Sequence, residues 1–303
     1  VQTLLMTGAS RGLGRIAAER ILLGRPDVHL VVTARGGTLA DDLRASTGNP
    51  NVTALTCDLT SAAAIRATAA DLAEQLDSGA LPPLHGFAGN AGLQLTSRAC
   101  ATGDGIEPTF AVNVLANFLL VRLLWARFTA PGRIVLTGSD THFGDLRHNL
   151  GMVPAPRWEP VADLARPRPG ERTAADGRRA YSTSKLAVVH LVHALARRLP
   201  EGIDVYTFNP GYVPGTGLVR DAGPVVRFFS RTVMHALIAT PFALSAASAG
   251  ELLAEAVTGP RPGESGAYVD RRRVTPSAPE SYDLDREEQL WRGLCALEPV
   301  EML

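Results

Sequence analysis

The opening segment constrains the fold more than any other part of the chain: a branched apolar run, "TLLMTG", passes directly into "ASRGLG" and then into the helical pattern "RIAAERILL". A strand followed by a glycine-rich turn and a helix is the first half of a βαβ unit. Gly8, Gly12 and Gly14 allow the backbone to turn sharply and approach a pyrophosphate, and the helix N-terminus offers N–H groups and a positive dipole end. In that context the triplet predicts a dinucleotide site, with Ser10, Arg11 and Leu13 completing the loop.

The rest of the chain repeats the alternation. Strands are expected near residues 3–7, 28–33, 52–57, 84–88, 133–137, 203–208 and 267–269, and helices near 12–23, 61–78, 106–128, 181–199 and 245–257. Short branched runs separated by helical patterns predict an α/β, doubly wound Rossmann fold with a mostly parallel seven-stranded sheet. We expect a single domain over residues 1–273 and a tail over 274–303 whose amphipathic helix docks through Leu290, Trp291 and Leu294. Two stretches break the rhythm, 140–179, rich in Pro and Arg, and 212–241, which mixes Gly and Pro with apolar residues. Both are read as a substrate-lid insertion forming the pocket walls; the first is also compatible with a solvated surface excursion.

Composition excludes several classes. Thirty basic residues balance thirty acidic ones, so the electrostatic footprint of a nucleic-acid binder is missing. Cys57, Cys100 and Cys295 are scattered with no CxxC pair, which predicts neither a disulfide framework nor a zinc cluster and fits a reducing, cytoplasmic setting. His142, His148, His190 and His193 are not spaced as a metal site, and no metal is expected. Arg122 and Arg127 interrupt one long apolar stretch and Pro241 and Glu251 another, so no membrane span is expected. The first strand begins at once, so no leader is expected ahead of it.

The cofactor can be narrowed further. After the second strand an acid would bond the free ribose hydroxyl of NAD, whereas a base accommodates the 2′-phosphate of NADP. Here Arg35 stands in that place, Arg11 and Ser10 can reach the same side, and no carboxylate lies between residues 32 and 39, which points to NADP(H). Either arginine could instead be a solvated surface charge. Asp58, followed by Leu59, could accept from the adenine amino group or cap the helix that begins near Ser61. Asn90, Ala91 and Gly92 in "GNAG" would let the chain pass close to the adenosine ribose.

Tyr181 and Lys185 in "YSTSK" lie four residues apart and so share one helix face. A neighbouring ammonium favours the phenolate and brings a tyrosine hydroxyl toward a working pKa. Ser139 follows the fifth strand, at the sheet edge where ligands bind in open α/β folds, and could hydrogen-bond a carbonyl oxygen.

In this order the motifs resemble the short-chain dehydrogenase/reductase family, over roughly residues 2–269. The segments "GDGIEPTFAVNVLANFLL", "LARRLPEGIDVYTFNPGYVPGTGLVR", "SGAY" and "EEQLW" are most similar to the branch of retinol dehydrogenases and light-dependent protochlorophyllide reductases. The resemblance implies a catalytic tetrad of Asn113, Ser139, Tyr181 and Lys185, with Asn113 holding a water beside the lysine. It also implies that "NPG" backs the nicotinamide, with contacts from Pro210, Gly211, Val213 and Thr216. Three departures stand out: Gly215 replaces the usual threonine, Gly138 precedes the serine, and residues 140–179 contain no cysteine. The expected activity is NADPH-dependent oxidoreduction of a hydrophobic small molecule, such as a secondary metabolite, by a monomer or homodimer. Reduction of a conjugated C=C bond, epimerisation, and NADP(H) binding without turnover are the alternatives.

Overall fold

The structure is a computed structural model that describes residues 1–149, 151–214 and 243–298. Its strands are β1 (Gln2–Thr7), β2 (Val28–Ala34), β3 (Val52–Thr56), β4 (Leu84–Gly89), β5 (Phe128–Thr137), β6 (Ile203–Asn209), β7 (Tyr268–Asp270) and β8 (Arg273–Thr275). They form one sheet in the order β3-β2-β1-β4-β5-β6-β7-β8. All neighbours are parallel except β7 and β8, which pair antiparallel. The sheet therefore has eight strands rather than the expected seven. The added one, "RVT", is a three-residue edge strand with two exposed positions, too short to show a hydrophobic period.

Both faces of the sheet are covered, so the strands read as continuous apolar runs. Successive side chains point to opposite faces. Leu5, Val31, Phe87, Ile134 and Val205 enter one core, while Leu4, Met6, Leu30, Val32, Val135 and Phe208 enter the other. The second core is closed by the helix Gly12–Gly24 (α1) and by Ala246–Thr258, which packs directly on it. The first is closed by Ala62–Asp77, by Ala116–Leu123 and by the long helix Ala174–Ala196.

Three expected elements differ in extent. The long helix begins seven residues before Tyr181, because Thr173 and Asp176 form a reciprocal capping box there. The expected helix over 106–128 is broken: a short α turn, Pro108–Phe110, runs into a π turn at Ala111–Leu115 before α geometry resumes, and β5 already begins at Phe128. A further helix, Leu39–Thr47, was not anticipated.

Residues 140–179 are packed rather than merely solvated. They contain a 3₁₀ turn, Asp140–Phe143, and short helices at Leu146–Asn149 and Val161–Leu164. Arg98 is 7% exposed and faces Glu159 and Glu171 at 3.4 and 3.7 Å, while Arg168 meets the same two at 2.7 and 3.4 Å. Most of 212–241, including Thr216, lies outside the described residues; Tyr212 and Ala243, on either side of it, are joined by a parallel bridge. Among the described residues no helix is long and apolar enough to cross a membrane.

The tail helix forms at Leu284–Leu297, capped by Asp283. Leu290 and Leu294 are fully buried, Trp291 meets Phe118 edge-on at 5.5 Å, and Arg197 bonds the buried Glu287 at 2.9 Å. Replacing Leu294 by Ala should cost about 2–5 kcal/mol. Calorimetry should show the melting temperature falling by roughly 3–8 °C, and an unchanged midpoint would mean that the tail is not docked.

Candidate active site

The carboxyl ends of β1, β4, β5 and β6 lie side by side, at the strand-order reversal where a crevice opens in doubly wound sheets. At β1 the backbone closes on itself. A Cβ on Gly14 would stand 2.1 Å from the Gly8 carbonyl oxygen, and one on Gly8, which has φ +72°, would stand 2.7 Å from the Ala91 nitrogen. Only glycine fits at either position. Asn90 ties the strand ends together, donating from Nδ2 to the Gly8 carbonyl at 3.2 Å and accepting from the Thr137 hydroxyl at 3.4 Å. Thr7 accepts from the Ala91 N–H at 3.0 Å.

The helix that follows carries no side-chain cap and no acid in its first turn. By contrast, Ser61, Thr173, Ser245 and Asp283 cap their helices with side-chain oxygens. An uncapped N-terminus behind a side-chain-free cradle fits a diphosphate, so the local chemistry suits a dinucleotide. Ser10, Arg11, Gly12 and Leu13 stand on this loop, and Arg35 follows β2 directly; Ser10, Arg11 and Arg35 are exposed. Asp58 and Leu59 follow β3. Ser61, not Asp58, caps the next helix, while the Asp58 carboxylate bonds the Thr60 N–H at 3.0 Å and its hydroxyl at 2.8 Å. Pro210, Gly211 and Val213 follow β6.

Tyr181 and Lys185 project from the long helix toward the end of β5. Lys185 is 3% exposed and donates to the Thr137 carbonyl at 2.7 Å, with its nitrogen 5.5 Å from the centre of the Tyr181 ring. Ser139 accepts from the Thr141 N–H at 3.3 Å and from its hydroxyl at 3.1 Å. Those two bonds occupy its acceptor sites and leave its own hydrogen to give. It is directed to Tyr181, whose phenolate such a bond favours.

Asn113 lies in the π turn, a geometry common at functional sites. It acts as a joint: Nδ2 donates to the Leu93 carbonyl at 3.0 Å and to Ser184 Oγ at 2.9 Å, and Oδ1 accepts from the Leu93 N–H at 2.8 Å. Ser184 in turn donates to the Tyr181 carbonyl at 2.7 Å. The side chain thus links the segment following "GNAG" to the helix bearing the tyrosine.

Burial sets the proton affinities. The phenol of Tyr181 is pushed up to about 12 by burial, opposed by the bond from Ser139, and the Lys185 ammonium is pushed down to about 8 by burial. In this arrangement the lysine's hydrogen bond goes to the Thr137 carbonyl, and desolvation is the leading cause of both shifts.

The sequence reading passed over the groups that hold the serine's turn. Asp140 is held above the usual carboxylate range by burial and accepts from Asn209 Nδ2 at 2.7 Å and from the Tyr268 hydroxyl at 3.0 Å. Asn209 Nδ2 also reaches Asp270 at 2.9 Å. These partners are separated by 69, 128 and 61 positions, and no local spacing could have paired them.

A sequence model of the family described as short chain dehydrogenase matches residues 2–148. The chain is 32% identical to a protein of Streptomyces sp. (strain C5) assigned as a daunorubicin C-13 ketoreductase, over 97% of this chain and 92% of that one. It is 30% identical to human retinol dehydrogenase 13, over 99% of this chain and 85% of that one. The fold is shared with a short chain dehydrogenase from Burkholderia cenocepacia solved in complex with NADP, at a TM-score of 0.63 and 24% identity over 89% of this chain and 95% of that one.

The depressed pKa of Lys185 has a consequence for stability. The unfolded chain binds the proton below about 10.5 and the folded chain only below about 8, so stability falls as pH drops through that window. The full cost is about 3 kcal/mol at neutral pH, offset by about 1 kcal/mol for the bond to Thr137. Lys185→Met should therefore raise the melting temperature at pH 7 by roughly 2–4 °C. Calorimetry at the two ends of the window should show the gain disappearing near pH 10.5; a lower midpoint at pH 7 would show that the ammonium stabilises the fold.

Proposed function

The chain belongs to the short-chain dehydrogenase/reductase family of oxidoreductases, and from that premise we propose that it is an NADPH-dependent reductase of a ketone or aldehyde on a hydrophobic small molecule. The observation that carries this reading is the convergence of Ser139, Tyr181 and Lys185 at the end of β5, beside the cradle formed by Gly8 and Gly14.

When bound, the dihydronicotinamide supplies a hydride to the substrate's carbonyl carbon. Tyr181 gives its phenolic proton to the carbonyl oxygen, and with a pKa near 12 it is fully protonated before the reaction. Ser139, its acceptor sites filled by Thr141, donates a hydrogen bond to the same oxygen and steadies the charge developing there. Lys185, with a pKa near 8, is mostly charged at neutral pH, favours the phenolate left behind, and lies close enough to neutrality to pass a proton on. Arg11 and Arg35, exposed and with no carboxylate between residues 32 and 39, would hold the 2′-phosphate of NADPH.

The names of the relatives support the proposed substrate class. One relative is named for reduction of the C-13 ketone of daunorubicin and another for the dehydrogenation of retinol, which favours a hydrophobic ketone or aldehyde here.

NADPH consumption against a panel of such ketones, with NADH as comparison, tests the reading. Tyr181→Phe should lower kcat by about 10²–10⁴-fold while leaving NADPH binding by calorimetry unchanged; wild-type turnover in that variant would refute the assignment. Arg35→Ala should raise KM for NADPH roughly 10–100-fold, the worth of a charged hydrogen bond, with KM for NADH unmoved. Equal effects on both cofactors would mean that Arg35 does not meet the 2′-phosphate.

A further inference from the structure

Residues 277–282, which lead from β8 to the tail helix, lie against the turn that carries Ser139. The contact is made by one imidazole. His142 is 1% exposed; its Nδ1 stands 2.7 Å from the Ser139 carbonyl oxygen, and its Nε2 stands 3.1 Å from the Ala278 nitrogen. A carbonyl can only accept and a backbone N–H can only donate. The ring is therefore neutral, with its hydrogen on Nδ1 donated to Ser139 and its Nε2 lone pair accepting from Ala278. Burial holds its pKa near 4, so this tautomer persists at neutral pH.

The stretch on the far side of the imidazole is itself well fixed. Ser281 donates through Oγ and through N–H to the Ala278 carbonyl, at 2.7 and 2.9 Å, and the Tyr282 hydroxyl accepts from the Ser277 N–H at 3.1 Å. Its other anchor is His193, whose Nδ1 meets the Ser281 carbonyl at 2.9 Å from the helix that bears Tyr181. One tail segment is thereby buckled to both elements of the proposed catalytic pair, to the serine's turn through His142 and to the tyrosine's helix through His193.

We propose that His142 is a positioning residue through which residues 277–282 set where the Ser139 hydroxyl stands relative to Tyr181. The inference rests on the reading above, in which those two groups act on the substrate oxygen. The ring is also faced by Tyr268 and Phe143 at 4.9 and 4.1 Å, and besides Tyr268 the charged or titratable groups among the described residues around it are His148, His190, His193 and Asp145. Around Tyr181 they are Lys185 and Tyr268.

Two substitutions separate the halves of the contact. His142→Asn retains a donor for the Ser139 carbonyl but cannot reach Ala278, whereas His142→Gln can accept from Ala278 but loses the bond to Ser139. Both should lower kcat at least tenfold, with KM for the ketone and Kd for NADPH moving less than threefold. In a Ser139→Ala background neither should lower kcat further, because the hydroxyl they position is gone.

Wild-type kcat in either variant overturns the proposal; for His142→Asn it would mean that the tail plays no part. Equal losses with and without the Ser139 hydroxyl overturn it too, since a purely structural role is additive. Should the His142 variants fail to fold, Ser281→Ala decides: it should lower kcat severalfold in the wild-type background alone, and no loss, or a loss in both backgrounds, refutes the coupling. If Tyr181→Phe turns over normally, the reading of the site itself fails. If that variant is inactive while the His142 variants are not impaired, this inference fails alone.

Discussion

One hydrogen bond, from the Lys185 ammonium to the Thr137 carbonyl at 2.7 Å, fixes the relation between the sheet and the helix on which the proposed chemistry depends. A carbonyl at the carboxyl end of a central parallel strand has exhausted its ladder partner, and a buried ammonium must find an acceptor. Each solves the other's problem. Tyr181, one turn earlier on the same face, stands within hydrogen-bond reach of Ser139.

The same logic of mutual satisfaction extends outward. Asn113 answers both backbone groups of Leu93 and reaches Ser184, Asn90 bridges the ends of β1 and β5, and Asp140 gathers Asn209 and Tyr268. Each is a polar side chain at the sheet edge, where strands stop and backbone groups would otherwise be orphaned. The floor of the crevice is consequently hydrogen-bonded across strand ends. Its glycines matter for the complementary reason: Gly8 and Gly14 leave a cradle that any Cβ would fill.

Much of this could be read from the chain because the decisive signals are local. Leu4, Leu5 and Met6 alternate between the two cores as a strand buried on both faces must, and the glycine loop and the Tyr181–Lys185 spacing are short-range patterns. The start of the long helix was also written locally, as Thr173 with Asp176 three residues on, but the reading was drawn to the tyrosine instead. The helix Leu39–Thr47 carries acids in its first turn and Gly48 in the left-handed region just past its end, but at nine residues its apolar period is too short to stand out. The eighth strand and the π turn have no local signature; pairing with β7 makes the one, and packing around Asn113 accompanies the other. His142 is the sharpest case. By spacing it is an unremarkable histidine, and only the fold brings the Ala278 N–H, 136 positions away, to its ring.

Desolvation, finally, parts the proton affinities of the proposed pair. Burial raises the phenol to about 12 and lowers the ammonium to about 8, so two groups whose ordinary values nearly coincide are separated and the lysine becomes the readier proton donor of the two. A carbonyl reduction needs one proton at oxygen, and the phenol supplies it once charge builds on that atom and on the ammonium's side of the ring. Restoring the proton afterwards falls to the group whose pKa lies nearer neutrality, which is Lys185. Moving the pair into water would narrow the gap between phenol and ammonium and weaken both assignments. The packing that buries them is therefore part of the chemistry, and Trp158, Val161 and Leu164 of residues 140–179 contribute to the core on that side of the sheet.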